Sequence, residues 1–338
     1  MTPAELERIL TQPTETLVAD LARLPGDIAV LGAGGKMGPT LARLAARACR
    51  AGGIDKRVYA VSRFGDRAGV EELEAAGVTV LRADLLKAEE RAALPDFSNI
   101  LYLAGRKFGT GADAALTWTM NATLPALVLE RWPSARYVVF SSGNLYPAVD
   151  PAEGGCREEH PLGPVGEYAM SVLARERVFE HAATTQGTKV LLYRLNYAVA
   201  LEYGVLCDLG TQVLAGTPID LGMPLFNCIW QGDANRYALQ SLLLASAPRP
   251  AVLNVTGPET LSVWQTALWL GEEFEREVLF ASEPGPRALL SDAGRCFRHF
   301  GYPTVTVEQM LEWQAAWLLE GQPLLGKPTH FQETGGQF

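Results

Sequence analysis

The sequence has no pair of cysteines spaced as a metal clip. Its five cysteines, Cys49, Cys156, Cys207, Cys228 and Cys296, are scattered and odd in number. That argues against a disulfide framework and a zinc site, and favours a reducing compartment. Histidine is scarce: His160, His181, His299 and His330 are the whole set, at spacings that make no ligand cluster. No apolar run reaches the ~18 residues a membrane-spanning helix needs. The first residues carry acids instead of an apolar signal segment, so the expected location is cytoplasmic. Positive charge is also short. With 29 Lys+Arg against 38 Asp+Glu the formal net charge is −9, which leaves nucleic acid and anionic membrane as poor partners. The sequence shows no internal repeat and no low-complexity tract.

What is present is a globular composition: 338 residues, 48% hydrophobic and 20% charged. This is enough for a large core in one or two domains. Apolar residues at helical spacing (Leu6, Ile9, Leu10, then Leu17, Val18, Leu21, Leu24) predict a helical preface over residues 2–25.

The chain is organised around Ile28-Ala29-Val30-Leu31, which runs into Gly32-Ala33-Gly34-Gly35-Lys36-Met37-Gly38 and then an Ala/Leu-rich segment. This predicts strand, tight turn, helix. Gly32 permits the sharp turn, Gly35 clears space for a pyrophosphate, and Gly38 lets the helix lie close on the sheet. Phosphates would sit at the helix N-terminus, where free N–H groups favour negative charge. The glycines fall at 32, 35 and 38, a Gly-x-x-Gly-x-x-Gly spacing. Alone this is weak, since any βα turn can carry glycines.

Strands are then predicted at 57–63, 78–81, 100–105, 137–140, 190–193 and 252–255. Helical stretches alternate with them, among them Trp118 to Trp132 and Tyr168 to Ala182. On the latter, Arg175, Glu176, Arg177 and Glu180 read as a polar face. The alternation argues for a parallel sheet covered on both faces. The second strand ends in Ser62-Arg63 where an NAD site usually has an acid for the ribose. A hydroxyl and a guanidinium suit a 2′-phosphate, which tilts the cofactor from NAD toward NADP. Trp313 and Trp317, four apart on a late helix, read as core or subunit contact.

Several motifs in order resemble the extended short-chain dehydrogenase/reductase family, the NAD-dependent epimerases and dehydratases, over roughly residues 27–320. The glycine turn is one. Ala83-Asp84-Leu85 resembles the stretch whose acid meets adenine, and Leu103-Ala104-Gly105-Arg106-Lys107 the motif that lines the cofactor after the fourth strand. Asn121 matches the family's structural asparagine, Phe140-Ser141-Ser142-Gly143-Asn144-Leu145-Tyr146 the fifth-strand motif, Tyr168-Ala169-Met170-Ser171-Val172 the tyrosine motif, and Arg194-Leu195-Asn196 the strand end beside nicotinamide and substrate.

The resemblance implies a Rossmann-like, doubly wound α/β fold with a smaller C-terminal substrate domain. The expected division is a helical extension at 1–26, a dinucleotide-binding domain at 27–195, a mostly substrate-binding part at 196–320 and a tail at 321–338. It implies hydride transfer with Tyr168 moving the hydroxyl proton and Ser142 orienting that hydroxyl. Gly32, Gly35, Lys36, Met37, Gly38, Ser62, Arg63, Asp84, Leu85, Leu103, Ala104, Gly105, Lys107, Asn121, Tyr168 and Leu195 are the implied cofactor residues. Ser142, Asn144, Asn196 and Asn227 are the implied substrate residues. No metal is implied, and a homodimer is the default by analogy.

One departure bears on the chemistry. The family supplies a lysine four residues after the tyrosine, and this chain has Val172. A free phenol titrates at about 10, and valine cannot lower that. Lys107 could substitute, Tyr168 could act as a neutral acid, or the chain could be a cofactor-binding sensor or scaffold without turnover. Other departures bear on substrate. Gly143-Asn144 replaces the dehydratases' acid pair, and Asn227 and Glu283 stand where nucleotide-sugar enzymes place arginines. These point to a small polar, carbohydrate-like substrate rather than a nucleoside-diphosphate sugar.

Overall fold

The computed structural model describes residues 1–338 except 108, 110, 111, 328, 334, 337 and 338. The four apolar residues Ile28–Leu31 form β1, and all four are buried. Burial on both faces is what a central parallel strand requires. β2 (Val58–Ser62), β3 (Thr79–Arg82), β4 (Asn99–Tyr102), β5 (Arg136–Ser142), β6 (Val190–Leu195) and β7 (Ala251–Val255) complete the sheet. Its order is β3-β2-β1-β4-β5-β6-β7, with every neighbouring pair parallel. The chain winds outward from β1 to β3, then returns to place β4 on the other side of β1. That reversal opens a crevice at the C-terminal ends of β1 and β4. The parallel sheet expected from the alternation, and the doubly wound α/β fold implied by the family resemblance, are what is observed.

The two-residue period of β1 splits its side chains between two cores. Ile28 and Val30 pack with Leu41, Ala45 and Ala48 of the helix Gly38–Ala51 and with Tyr237. Ala29 and Leu31 pack with Leu124, Val128, Phe179 and Ala183 on the opposite face. A third cluster joins Leu209, Phe226, Trp230, Val263, Leu270 and Trp317 from residues beyond β6. Trp317 is fully buried there, and Trp313 packs edge-on against Trp230 at 5.5 Å. The tryptophan pair is core.

Two segments differ from expectation. The helical preface is two helices, Pro3–Leu10 and Glu15–Arg23, capped by the Thr2 and Thr14 hydroxyls. Leu6, Leu10, Leu17 and Leu21 are buried, as their spacing predicts. The single helix expected over 118–132 is instead the helix Ala114–Trp118, a π-helical turn Thr119–Thr123 and the helix Leu124–Arg131. Pro125 has no N–H for the regular ladder. The Leu124 N–H reaches back to the Thr119 carbonyl, widening the turn and directing Asn121 inward.

Candidate active site

The glycine turn is built as the sequence demands. Gly32 has φ +85°, and a Cβ there would stand 2.5 Å from the Ala104 nitrogen. A Cβ on Gly38 would lie 2.4 Å from the Ala33 oxygen, so the helix rests directly on the turn. That helix begins after Met37 with no side-chain cap and no acid in its first turn. Its first N–H groups are left for an anion. Glycines 32, 34 and 35 form one wall of a cleft. The rest comes from Ser62 and Arg63 after β2, Ala83, Asp84 and Leu85 after β3, and Leu103, Ala104 and Gly105 after β4. Met120 and Leu124 also line it. Sequence reasoning missed both, because apolar residues flanking Asn121 read as ordinary packing. Met37 turns instead toward the β1 core. Arg82, in register with Ser62, donates to the Phe64 carbonyl at 3.1 Å and adds a second cation at this corner. A bare glycine cradle, an uncapped helix N-terminus and two guanidiniums at its far end fit a dinucleotide.

At the other end of the cleft, β5 ends on Ser142, in register with Leu195 of β6. Ser142 is 5% exposed, and its hydroxyl hydrogen bonds to Tyr168 in the first turns of the helix Gly166–Gln186. The Ser142 Oγ donates to the Asn144 Oδ1 at 3.0 Å and accepts the Asn144 N–H at 3.1 Å. Burial pushes the Tyr168 phenol up, and Arg175 and Ser142 pull against that rise. The Lys107 Nζ lies 5.8 Å from the centre of the Tyr168 ring. Burial lowers Lys107 to about 8, with Asp208 opposing. Burial, together with Lys107 and Lys327, lowers Lys36 to about 7, and its Nζ lies over the Tyr203 ring at 3.1 Å. Lys36, Lys107 and Asp208 therefore form a titratable cluster beside the phenol. Asp208 was not legible as a site residue, since it lies on an apolar helix, Val205–Ala215, with no motif around it.

Other assignments need correction. Asn121 does not face the cleft. It is fully buried, its Oδ1 accepts the Arg106 N–H at 2.9 Å, and its amide donates to the Arg106 carbonyl and the Ser171 hydroxyl. It braces the loop that carries Lys107. Asn196 and Asn227 are buried and bonded to each other at 2.8 Å, and the Asn227 amide also donates to the Ser291 carbonyl. Their amides are used within the fold. Arg175 and Glu176 are no polar face: they are 5% and 0% exposed. Glu176 pairs with Arg194 at 2.8 Å and accepts the Ser141 hydroxyl at 2.6 Å. Val172 is fully buried.

The end of the chain crosses this site instead of trailing away from it. The Thr329 N–H and hydroxyl both donate to Asp208, at 2.7 and 2.6 Å, and the Thr329 carbonyl accepts from Lys107 at 3.5 Å. Phe331 is buried against Phe226, and the Tyr197 hydroxyl donates to its carbonyl at 3.4 Å. A wider cleft lies at the sheet's outer edge, between β7 and the helix Gly294–Phe300. Its Glu158 and Arg295 pair with each other, and it does not reach the glycine turn.

None of the curated proteins matches the sequence. Solved structures do. The UDP-glucuronic acid 4-epimerase from Bacillus cereus, as a point mutant in complex with UDP-4-deoxy-4-fluoro-glucuronic acid and NAD, superposes with TM-score 0.73 at 17% identity, covering 87% of this chain and 99% of that one. DesIV, a dTDP-glucose 4,6-dehydratase from Streptomyces venezuelae with NAD and TYD bound, gives TM-score 0.72 at 20% identity, covering 87% and 97%. The epimerase Mth375 from Methanothermobacter thermautotrophicus gives 0.72 at 17%, covering 91% and 96%. At such identities the likeness is one of fold. The NAD dependent epimerase/dehydratase family matches residues 28–200, more than half of the chain, and this protein belongs to that family.

Proposed function

We propose that the protein is an NAD(P)-dependent oxidoreductase or epimerase that acts at a carbinol or carbonyl carbon of a small, polar, carbohydrate-like substrate. The observation that carries this is the Ser142–Tyr168 hydrogen bond at the C-terminal end of β5. A pure binder needs neither hydroxyl there. The bound dinucleotide supplies or accepts the hydride. Tyr168 holds the exchangeable proton, Ser142 orients the reacting oxygen, and the glycine turn with Gly38's helix holds the diphosphate. Leu103, Ala104 and Leu195 give the reactive ring an apolar wall. Similar neighbours carry NAD and sugar nucleotides. Asn227 and Glu283 at the expected cation positions, and the chain's own Thr329 and Phe331 against the site, favour a smaller ligand here.

We take NADP as the preferred cofactor. Ser62, Arg63 and Arg82 meet at the ribose corner, where a carboxylate would repel a 2′-phosphate. We also take the protein to be a homodimer. Leu116 and Met170 are 38% and 47% exposed, on the helices Ala114–Trp118 and Gly166–Gln186; sedimentation at micromolar concentration checks this.

The catalytic reading is tested with NADPH deuterated at the transferable position and a panel of small ketoses, aldoses and sugar acids. Deuterium in a product is expected with the wild type, and Tyr168→Phe is expected to lower the rate about 10²–10⁴-fold. An equal rate for Tyr168→Phe removes Tyr168 from the chemistry. Binding of NADPH with no transfer to any member of the panel favours the sensor or scaffold reading that Val172 invites.

A further inference from the structure

Arg175 lies seven residues after Tyr168 on the helix Gly166–Gln186, so the two share a helical face with Val172 between them. Its guanidinium is almost completely buried. Nη1 donates to the Phe140 carbonyl at 2.7 Å, and Nη2 donates to the Asn121 Oδ1 at 2.6 Å. Both acceptors are neutral. Among the described residues no carboxylate pairs with Arg175, and its Nε–H has no hydrogen-bond partner. The adjacent Glu176 is engaged by Arg194.

A buried cation without a counter-ion is costly, because water is lost and no opposite charge replaces it. The surrounding chain nevertheless makes room for it. A Cβ on Gly105 would stand 2.2 Å from the Arg175 Nη2 and 2.8 Å from the Asn121 Oδ1. The turn that walls the cleft is therefore also the seat of the guanidinium. Among the described residues, the charged and polar groups that act on or lie near the Tyr168 phenol include Arg175 from its own helix, Ser142 from β5, Lys107 from the loop after β4 and Tyr203 from beyond β6. Arg175 opposes the effect of burial on this phenol more than Ser142 does.

We infer that Arg175 is a positioning residue that takes over the electrostatic part of the lysine absent at Val172, its fixed charge stabilising the Tyr168 phenolate. This rests on Tyr168 being the proton carrier proposed above. In the reductive direction the carbonyl carbon gains a hydride from the reduced cofactor, and its oxygen takes the Tyr168 O–H proton. The phenolate left behind is offset by the guanidinium until solvent returns a proton. In oxidation the same groups run in reverse. Arginine stays protonated throughout, so Arg175's own charge is constant with pH, whereas the nearby Lys107 and Lys36, lowered to about 8 and about 7, titrate across neutrality. Held by Phe140 and Asn121, Arg175 cannot also reach out to a ribose, so only half of the usual lysine's work is replaced.

The test places 3,5-difluorotyrosine at position 168, whose fluorines make the phenol more acidic and bring its titration toward neutrality. Fluorine NMR then follows that one phenol in the full-length protein, without any turnover. Arg175→Met is expected to raise the titration midpoint by about one pH unit or more, and Arg175→Lys to restore most of the difference. Circular dichroism checks the fold. If Arg175→Met does not fold, Gly105→Ala gives the comparison, since its methyl displaces the guanidinium without removing it; a raised midpoint is expected there too. A folded variant with an unchanged midpoint overturns the inference. Because no catalysis is read, that result would stand apart from a failure of the hydride-transfer reading, which the deuterium experiment decides.

Discussion

Lys36 is the residue whose charge should control dinucleotide affinity. Burial and the neighbouring Lys107 and Lys327 bring it to about 7, far below an unperturbed lysine near 10.4. The sign follows directly. Below about 7 the ammonium is charged and attracts a diphosphate lying on the glycine turn. Above it the folded protein has released the proton and the attraction is lost. Between the folded and unfolded values the unfolded chain binds more protons, so the apoprotein gains stability as pH rises across that window. NADPH should therefore bind more weakly at pH 9 than at pH 6 by about tenfold, and Lys36→Met should flatten the profile. Titration calorimetry at the two pH values checks it, and a slope that survives Lys36→Met would place the responsible charge elsewhere.

At the same scale, residue identity and residue role came apart in the sequence. That Ser142 and Tyr168 come together was legible, because each falls in a motif of the family the chain resembles. Arg175 was not, because a charged residue on a helix reads as solvent-facing. Its burial depends on Asn121 and Phe140, both far away in sequence. Glu176 misled for the same reason, since its partner Arg194 arrives on another element. Asn196 and Asn227 were expected at the substrate, and their hydrogen bond to one another is a tertiary fact that the sequence does not show.

The elements show where local pattern suffices. β1, its glycine turn and the helix Gly38–Ala51 follow from apolar burial and backbone clearance alone. Gly38→Ala should therefore damage both fold and binding. Its methyl would meet the Ala33 backbone at 2.4 Å, which cannot swing away as a side chain can. A loss of about 1–3 kcal/mol is expected, read as a lower Tm with weaker NADPH binding. An unchanged Tm would mean the turn is looser than described. The tail taught the opposite lesson. Residues 320–338 are Gly/Pro/polar and read as extended, yet Thr329 and Phe331 are 3% and 2% exposed. One aromatic side chain and one carboxylate partner, Asp208, anchor a segment that has no periodicity to announce it. Phe331→Ala should cost about 3 kcal/mol. Chemical denaturation checks it, and a cost near zero would mean the segment does not hold this place. The π-helical turn at Thr119–Thr123 was equally hidden, since Pro125 alone does not say whether a helix ends, kinks or widens.

For the whole molecule, the alternation of strand and helix specified the parallel sheet, and the crossing back from β3 to β4 opens the crevice in which a ligand is proposed to lie. Composition also bounded the partners. A net charge of −9 gives long-range repulsion toward anionic polymers. Among the described residues no helix is long and apolar enough to cross a membrane, and no group of three or more His, Cys, Asp or Glu side chains could hold a metal ion. Beside the glycine-walled cleft stand the Ser142 and Tyr168 hydroxyls, Lys36, Lys107, Asp208 and the Arg63 and Arg82 guanidiniums. A dinucleotide is proposed to seat across the C-terminal ends of β1 and β4. Calorimetric titration of the purified full chain, after any retained nucleotide has been stripped and identified by its absorbance, tests this most directly. One molecule of NADPH per chain is expected, bound at least tenfold more tightly than NADH through Ser62, Arg63 and Arg82, with Arg63→Ala erasing most of that preference. Heats of dilution alone for NADPH, NADP, NADH and NAD would contradict it.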